Sequence, residues 1–353
     1  MSRDYGFAIT SLGMIADFHA RAIQAMKGGR LAACYSRKKE AVDAFAAKYN
    51  CKPCYDYKSL LADREVDIVT ICAPSGAHLD YALPAIRAKK HLIVEKPLEI
   101  TLRRCDKMIK AADKAGIMLG AIFPSRFVEA SQVAKKAIVE GRLGRLTLAD
   151  AYVKWWRTQA YYDSGAWRGT WDLDGGGALM NQSIHAIDLL QWLAGPVKSI
   201  SAVTGILAHE RIEVEDTAVA ALEFESGALG TIEGTTSAWP GFLKRIEISG
   251  DKGTIMLEED NIVTWKFADE RPEDEEIRRK FSGKDTVGGG AADPKAIRFD
   301  KHQFNFEAFV RALSEGRRPE LDGREGRKAV EIILAIYAAA KKGRKISLPL
   351  KPR

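Results

Sequence analysis

The sequence predicts an α/β protein of two domains: an N-terminal doubly wound parallel sheet, then an α+β domain with a mostly antiparallel open sheet. Up to about residue 125, short β-rich runs alternate with helical patterns, the order that builds βαβ units. After residue 126, strand follows strand across short turns. The length of 353 residues also exceeds what one hydrophobic core usually serves. We therefore expect domains at 1–125 and 126–353, with the C-terminal helix able to pack back on the first.

The N-terminal domain is expected to contain five parallel strands with helices between them. The β-rich runs are residues 6–10, 31–35, 68–73, 91–95 and 117–122. The helical patterns are about residues 17–26, 39–49, 59–61, 79–88 and 102–115. Strands separated by helices pair in parallel, because the chain crosses the sheet between them.

The C-terminal domain is expected to place one face of its sheet in solvent. Its β-rich or alternating runs are residues 146–155, 197–208, 217–225, 228–235, 244–249, 253–258 and 261–267. Helices are predicted at about residues 131–140 and 178–192, and two more close the chain. The charged, glycine-rich stretch 270–294 is interpreted as a surface loop.

Composition and charge exclude several classes. The net charge of +7 is dispersed, and its densest cluster is the tail 341–353, so we expect no nucleic-acid partner. A phosphate-bearing cofactor or substrate would use the same charge. We find no secretory signal or membrane-length apolar stretch, and expect a cytoplasmic protein without a membrane partner. Cys51 and Cys54 have metal-like spacing but no second ligand pair, so we expect reduced cysteines and no metal.

The turn after the first strand resembles a phosphate-binding turn. A dinucleotide fingerprint places glycine at its first two key positions and Gly or Ala at the third, because the backbone approaches a pyrophosphate at a helix N-terminus. Here these positions are Ser11, Gly13 and Ala16, and Met14 and Ile15 lie between the last two. The position on the first βα crossing favours a cofactor site. An ordinary strand-to-helix turn is the alternative.

The end of the second strand bears on the choice of cofactor. Enzymes strict for NAD usually have Asp or Glu here to bind the ribose hydroxyls, whereas this chain has Ser36, Arg37 and Lys38. A hydroxyl and two cations suit a 2′-phosphate. We therefore favour NADP over NAD without excluding NAD, and the alternative is that the two cations are solvated residues at a helix start.

Three further motifs occur together. Ala73-Pro74-Ser75-Gly76-Ala77-His78 follows one strand, Glu95-Lys96-Pro97-Leu98 follows the next, and a glycine run at residues 175–177 precedes a helical His185. With these motifs the sequence resembles the glucose-fructose oxidoreductase and inositol dehydrogenase family, often written Gfo/Idh/MocA. The resemblance covers essentially the whole chain. It implies a Rossmann domain that binds NAD(P), and hydride transfer between nicotinamide and a secondary alcohol or ketone of a sugar, glycoside, sugar nucleotide or cyclitol.

The resemblance implies that Lys96 and His185 act at the same reacting carbon. The chemistry can be stated independently: when a C–H loses a hydride, the attached hydroxyl must lose its proton to a positioned base, and histidine suits that role near neutrality. A lysine cation close by would favour negative character on the substrate oxygen. The alternatives are a structural histidine and a surface lysine.

Asn181 precedes His185 by four residues, so both side chains project from one face of a helix. Many relatives have an acid at this position. Asparagine can orient a hydroxyl but cannot ionise, and the variant is associated with members that act on sugar nucleotides, amino sugars or glycosides. A simple inositol dehydrogenase assignment is therefore in doubt.

Other positions carry over from the family one by one. Ala73, Pro74, Ser75 and His78 fall where relatives line the dinucleotide, and Glu95 where they meet the nicotinamide ribose. The family also implies a cis Pro97. The remaining cofactor candidates are Lys96, which follows Glu95, Arg126, for which a structural salt bridge is the alternative, and the pair Trp167 and Arg168.

An aromatic-rich segment is the candidate substrate pocket. Five of the seven tryptophans lie between residues 155 and 192, and the C–H faces of sugars pack well on aromatic rings. Tyr161, Trp167 and Trp239 are candidate substrate contacts. Tyr162 and His302 are weaker ones, and core packing is expected for Trp192 and for Trp155 or Trp156.

Two other functions remain open at this point: a non-catalytic ligand sensor, and an enzyme whose cofactor stays bound through an oxidation and a re-reduction. We also expect a homodimer or homotetramer, because the open sheet would otherwise leave an extended face exposed.

Overall fold

The computed structural model describes residues 4–282 and 299–351. The described residues form two compact units: the first contains 4–124 and 299–328, and the second contains 125–282 and 329–351. No helix in these two stretches is long and apolar enough to span a bilayer.

The first unit contains the doubly wound sheet that the sequence predicts. Six parallel strands run in the order β3-β2-β1-β4-β5-β6. The strands are β1 (Tyr5–Thr10), β2 (Gly29–Tyr35), β3 (Lys52–Cys54), β4 (Ile68–Ile71), β5 (His91–Val94) and β6 (Leu119–Ala121). The helices are α1 (Met14–Ala25), α2 (Lys39–Tyr49), α3 (Tyr57–Ala62), α4 (His78–Arg87) and α5 (Leu102–Ala115). The sequence analysis missed β3, because it has three residues and contains Pro53, which is tolerated there as part of an edge strand.

The sheet reverses its order at β1. From there the chain builds β2 and β3 on one side and β4, β5 and β6 on the other. The connections after β1 and β4 therefore leave in opposite directions, and this opens a crevice at the carboxyl ends of the strands. A helix from late in the chain, α10 (Asp300–Ser314), completes this unit by packing Phe306 on Phe7, with ring centroids 5.8 Å apart.

The second unit contains an eight-stranded sheet in the order β13-β12-β11-β7-β10-β9-β8-β14. Its strand pairs are antiparallel except β7 with β10, which is parallel. The strands are β7 (Leu146–Lys154), β8 (Val197–Gly205), β9 (Thr217–Phe224), β10 (Leu229–Thr235), β11 (Arg245–Gly250), β12 (Gly253–Glu258), β13 (Asn261–Phe267) and β14 (Ile346–Ser347). The helices are α6 (Glu129–Val139), α7 (Gln159–Asp163), α8 (Ile184–Ala194) and α9 (Pro272–Phe281). The final helix, α11 (Gly323–Lys342), contributes residues 323–328 to the first unit and the rest to the second.

Residues 270–294 were interpreted as a loop, and this is wrong for Pro272–Phe281, which form α9. Pro272 stands at the first helical turn, acids fill that turn, and Arg278, Arg279 and Lys280 fill the last one. This order of charges complements the helix dipole. The sequence therefore contained a helix signal, but its many charged residues were interpreted as those of a surface loop. Residues 283–294 lie outside the described part of the chain.

Candidate functional site

The turn after β1 has the backbone of a phosphate-binding turn despite its serine. Ser11 has φ +65°, a left-handed conformation that normally favours glycine and explains why the first key position is usually glycine. A Cβ added at Gly13 would meet no heavy atom of the described protein within 4 Å. Met14 and Ile15 form the first turn of α1, where backbone N–H groups lack intrahelical acceptors. The space and the donors therefore fit a dinucleotide pyrophosphate.

The end of β2 presents two exposed cations. Arg37 and Lys38 follow Ser36 before α2, and neither forms an ion pair with another residue in the described ranges. Both are therefore available to an anionic group, and their role in binding a 2′-phosphate stays a prediction.

The ends of β4 and β5 are joined through His78. Its buried ring lies 2.9 Å from the carbonyl oxygens of Ala73, through Nε2, and Pro97, through Nδ1. The bond between Lys96 and Pro97 is cis, as predicted. Ser75 is also buried, in the first turn after β4. His78 thus holds together the two segments that carry the predicted cofactor contacts.

Glu95 is buried beside two histidines that the sequence analysis did not associate with it. His19 Nε2 lies 2.7 Å from Glu95 Oε1, and His302 Nε2 lies 3.5 Å from the same oxygen. The other oxygen, Oε2, accepts the backbone N–H of Lys96 at 3.0 Å. Burial opposes ionisation of Glu95, but the hydrogen bonds from His19 and His302 outweigh it and hold the pKa of the carboxyl well below its usual range.

These contacts have two consequences. His302 is buried in the first unit against Glu95, where it helps to fix this carboxylate, and its role in a pocket wall stays a prediction. His19, Glu95 and His302 could also share a metal ion by their spacing. The 2.7 Å contact is a hydrogen-bond distance, and hydrogen bonding accounts for this arrangement without a metal.

In the second unit, the glycine run leads into the helix that carries Asn181 and His185. Residues Ala178–Ser183 form a π-helix, and α8 continues from Ile184. The predicted helix is therefore present, but its first turn is wider than an α-helix. Such π segments are rare and occur frequently at functional sites. Asn181 and His185 are both half-buried.

Glu215, which precedes β9, holds the start of this helix. Its carboxylate accepts the N–H groups of Gly177 at 3.0 Å and Leu179 at 2.8 Å, and the hydroxyl of Tyr337 at 2.9 Å. Burial raises the pKa of Glu215 to about 7, although these hydrogen bonds oppose the shift. The sequence analysis missed Glu215, because no local pattern links it to a turn 38 residues earlier.

A chain of hydrogen bonds sets the orientation of Asn181. Arg157 donates to Gln182 Oε1 at 2.9 Å, and Gln182 Nε2 donates to Asn181 Oδ1 at 3.0 Å. Asn181 Nδ2 in turn donates to Asp174 Oδ1 at 2.6 Å. The amide of Asn181 therefore has a defined orientation on the helix that carries His185.

Tyr161, Trp167 and Arg168 form one cluster in the same unit. The Arg168 guanidinium lies 4.3 Å from the centre of the Tyr161 ring and 4.5 Å from that of Trp167. The Tyr161 hydroxyl accepts hydrogen bonds from Arg168 at 2.6 Å and from Gln182 at 2.8 Å. Three of the predicted site residues are thus brought together next to the Asn181 network.

Comparison with known proteins decides the family. Residues 6–123 match the oxidoreductase family with an NAD-binding Rossmann fold, and residues 131–256 match the GFO/IDH/MocA C-terminal domain. A solved structure of the WlbA dehydrogenase from Bordetella pertussis is 35% identical, with 99% of each chain covered and a TM-score of 0.88. The chain belongs to the Gfo/Idh/MocA oxidoreductase family.

Relatives within the Gfo/Idh/MocA family have different activities. The Bordetella protein was solved in complex with NADH and UDP-GlcNAcA. A myo-inositol 2-dehydrogenase from Thermotoga maritima is 26% identical over 355 residues, covering 94% of each chain. A 2,7-anhydro-N-acetylneuraminate hydratase from Escherichia coli is 28% identical over 218 residues, covering 60% of this chain and 57% of its own. The two family matches and the relatives named as dehydrogenases confirm the family resemblance and the oxidoreductase assignment made from the sequence.

Several residues singled out in the sequence have structural contacts in this Gfo/Idh/MocA protein. Arg126 is buried and forms an ion pair with Asp188 at 2.6 Å. This is the structural salt bridge that the sequence analysis gave as the alternative to a cofactor contact. Tyr162 is buried and bonds Thr236, and Trp155 is 8% exposed, so both belong to the core. Trp192 is only half-buried and packs under Arg126.

Trp239 is placed differently from the cluster around Tyr161. It is 73% exposed and makes an edge contact with Trp156, with ring centroids 5.7 Å apart. Its role as a substrate contact stays a prediction.

Proposed function

We propose that this chain is a nicotinamide-dependent dehydrogenase or reductase of a sugar nucleotide, acting on a secondary alcohol or ketone of the sugar. The single observation that carries the proposal is the 35% identity, over 99% of both chains, to a dehydrogenase solved with NADH and UDP-GlcNAcA. Asn181 in place of an acid supports a sugar nucleotide over a cyclitol.

In this proposal His185 is the general acid and base. Nicotinamide, when bound, supplies the hydride acceptor or donor. His185 takes the hydroxyl proton during oxidation and returns it during reduction. Lys96 donates a hydrogen bond to the same substrate oxygen and favours its negative character, and Asn181, oriented by Gln182, binds a neighbouring hydroxyl.

The proposal is tested by following nicotinamide absorbance during incubation with sugars, glycosides, sugar nucleotides and cyclitols, each with NAD and with NADP. We expect turnover with a sugar nucleotide. Binding of cofactor without turnover of any compound would contradict the proposal and favour a ligand sensor.

A second candidate function is an enzyme that keeps its cofactor bound and recycles it. The observation that favours it is the relative named as a hydratase. Tightly bound dinucleotide after purification, with product formed and no net absorbance change, would identify this function.

We propose that the dinucleotide is held by the turn at Ser11 and Gly13, with Met14, Ile15, Ala73, Pro74 and Ser75 around it. Gly13→Val tests this, because the new side chain would enter space that no described protein atom occupies within 4 Å. We expect dinucleotide binding to weaken by about 100-fold or more, while thermal unfolding changes little, since a changed N-cap costs about 1 kcal/mol.

Gly6→Ala is the contrasting variant. A Cβ there would lie 1.7 Å from the Glu65 carbonyl oxygen, so this substitution should lower the unfolding temperature. If Gly13→Val binds dinucleotide as tightly as wild type does, the turn is not part of the cofactor site.

We propose NADP as the preferred cofactor, with Ser36 and Arg37 binding the 2′-phosphate. Charge-assisted hydrogen bonds to phosphate are strong, so Arg37→Ala should lower the ratio of kcat/KM for NADP to that for NAD by about 10-fold or more. The control is Arg64→Ala, which removes an exposed cation of the same unit. A wild-type protein that uses NAD better than NADP would contradict this preference.

We also propose a homo-oligomer that covers the open face of the second sheet. Val203 pairs with Val219 and Leu229 with Leu148, and these side chains are 45 to 75% exposed on that face. Val203→Glu with Val219→Glu should lower the mass measured by light scattering, whereas Val139→Glu, at an exposed position of α6, should leave it unchanged. A monomeric wild-type protein would contradict the proposal.

A further inference from the structure

We propose that Glu215 is a positioning residue for the reaction: it fixes the start of the π-helix, Ala178–Ser183, and through it the direction in which His185 points. The close approach of Glu215 and Tyr337 also explains the glycine run at residues 175–177. This inference rests on the proposed function, because a positioning role requires His185 to act in the reaction. It adds to that function a residue that acts through another.

Three consecutive backbone N–H groups donate to Glu215. Those of Gly177 and Leu179 donate to its carboxylate, at 3.0 and 2.8 Å, and that of Ala178 donates to its backbone carbonyl at 3.0 Å. The first N–H groups of a helix have no acceptor within the helix. All three residues are buried, so without Glu215 these donors would have to open to water or stay unsatisfied, at a cost in free energy.

The glycine run makes this approach possible. A Cβ added at Gly177 would lie 1.8 Å from the backbone oxygen of Glu215, and one added at Gly176 would lie 2.2 Å from the hydroxyl oxygen of Tyr337. The Tyr337 hydroxyl in turn donates to Glu215 Oε1 at 2.9 Å. The glycines are therefore explained by the two side chains that pack against them.

The π geometry sets the direction of the side chains that follow it. Each residue of an α-helix turns the chain by about 100°, and a π turn contains one residue more than an α turn. A segment that relaxed from π to α would therefore rotate the residues after it by about that angle. Asn181 lies within the π segment and His185 just after it. The N–H groups of residues 177–179 precede both, so Glu215 holds the point from which their directions follow.

The ionised form of Glu215 suits this role better than the acid. A carboxylate only accepts hydrogen bonds, and it receives three donors here, whereas a carboxylic acid adds a donor of its own. Burial raises the pKa of Glu215 to about 7, so both forms occur near neutral pH. Other titratable groups around Glu215 and Tyr337 include Tyr162, Asp174, Glu213, Asp216 and Lys341.

The first measurement is kcat and KM of Glu215→Gln at pH 8, followed by nicotinamide absorbance with the full chain, saturating dinucleotide and UDP-GlcNAcA. Glutamine keeps the size of the side chain, but its NH₂ group cannot accept a hydrogen bond. A misplacement of about 1 Å can cost about 100-fold in rate, so we expect kcat to fall by about 10- to 100-fold and KM to stay within about 3-fold. Glu213→Gln is the matched control: exposed Glu213 also accepts a backbone N–H, that of Trp171, and its variant should keep the kcat of wild type.

Two further readouts separate positioning from a general loss of stability. The ratio of kcat between wild type and Glu215→Gln should be largest above pH 7 and fall below it, where wild type is itself protonated at this carboxyl. Titration of His185 occurs in both proteins and cancels from the ratio. In a His185→Ala background, Glu215→Gln should change the residual rate by less than about 2-fold, because both substitutions remove the same contribution.

Amide hydrogen exchange tests the anchor without turnover. Residues 177–179 should exchange slowly in wild type and at least about 10-fold faster in Glu215→Gln, while the strands of the second sheet keep their rates. Tyr337→Phe removes one donor to the carboxylate and keeps the ring that packs on Trp171, so it should give a smaller increase.

Unchanged kcat in Glu215→Gln, an equal loss in Glu213→Gln, or unchanged exchange of residues 177–179 would each overturn the inference. Failure of the proposed function is seen separately, as wild-type protein that turns over no sugar nucleotide although exchange of residues 177–179 rises in Glu215→Gln. That combination would retain Glu215 as the residue that fixes this helix start and reject the sugar-nucleotide reaction.

Discussion

His185→Ala is expected to lower kcat by about 10²- to 10⁴-fold, the usual contribution of a positioned general acid and base. Lys96→Met is expected to lower it by a similar factor, because it removes the cation proposed to bind the substrate oxygen. Both variants should bind dinucleotide within about 3-fold of wild type, as measured by fluorescence titration. Unchanged kcat in both variants would reject the proposed roles.

The double variant tests whether the two residues act in one step. Residues that serve the same transition state have strongly non-additive effects. We therefore expect Lys96→Met with His185→Ala to be little slower than the slower single variant. A loss equal to the product of the two single losses would indicate that they act independently.

Glu215→Gln is expected to change how stability depends on pH. The pKa of Glu215 is raised from its ordinary value of 4.5 to about 7 in the folded protein. Below pH 4.5 the carboxyl is protonated in both states, and above about pH 7 it is ionised in both. Between these values only the unfolded chain has lost the proton, so the free energy of unfolding of wild type falls as the pH rises, by up to about 3 kcal/mol.

The variant has no such titration, so the difference in unfolding free energy between wild type and Glu215→Gln should change between pH 4.5 and 7 and be flat outside that window. Denaturant unfolding at a series of pH values measures it. Glu223→Gln is the matched control: Lys198 and other neighbours lower the pKa of Glu223 to about 2, so its effect is expected to be constant over the same window. A constant difference for Glu215→Gln would contradict the raised pKa.

Much of the fold followed from patterns that are local in sequence. Alternating strands and helices identified β1, β2, β4, β5 and β6, and Ser11 and Gly13 marked the turn between β1 and α1. The departures have simple causes. β3 is too short to show a period, and the turns of a π-helix have no signature in the sequence that separates them from α-helix.

The candidate site was predictable where motifs are contiguous and not where side chains meet across the fold. The Glu95-Lys96-Pro97 motif and the helical His185 could be identified from the sequence alone. The partners of Glu95 were not, because His19 is 76 residues away and His302 comes from a late helix. Glu215, Arg157 and Gln182 were missed for the same reason: each is a single polar residue whose contacts with the helix that carries Asn181 and His185 depend on packing.

The most direct test is a single-turnover measurement at 340 nm, in which excess protein is mixed with oxidised dinucleotide and UDP-GlcNAcA. We expect absorbance to rise as the sugar is oxidised in wild type, and to rise at least about 100-fold more slowly in His185→Ala. No rise in wild type with this or any other sugar nucleotide, or an equal rate in both proteins, would contradict hydride transfer assisted by His185.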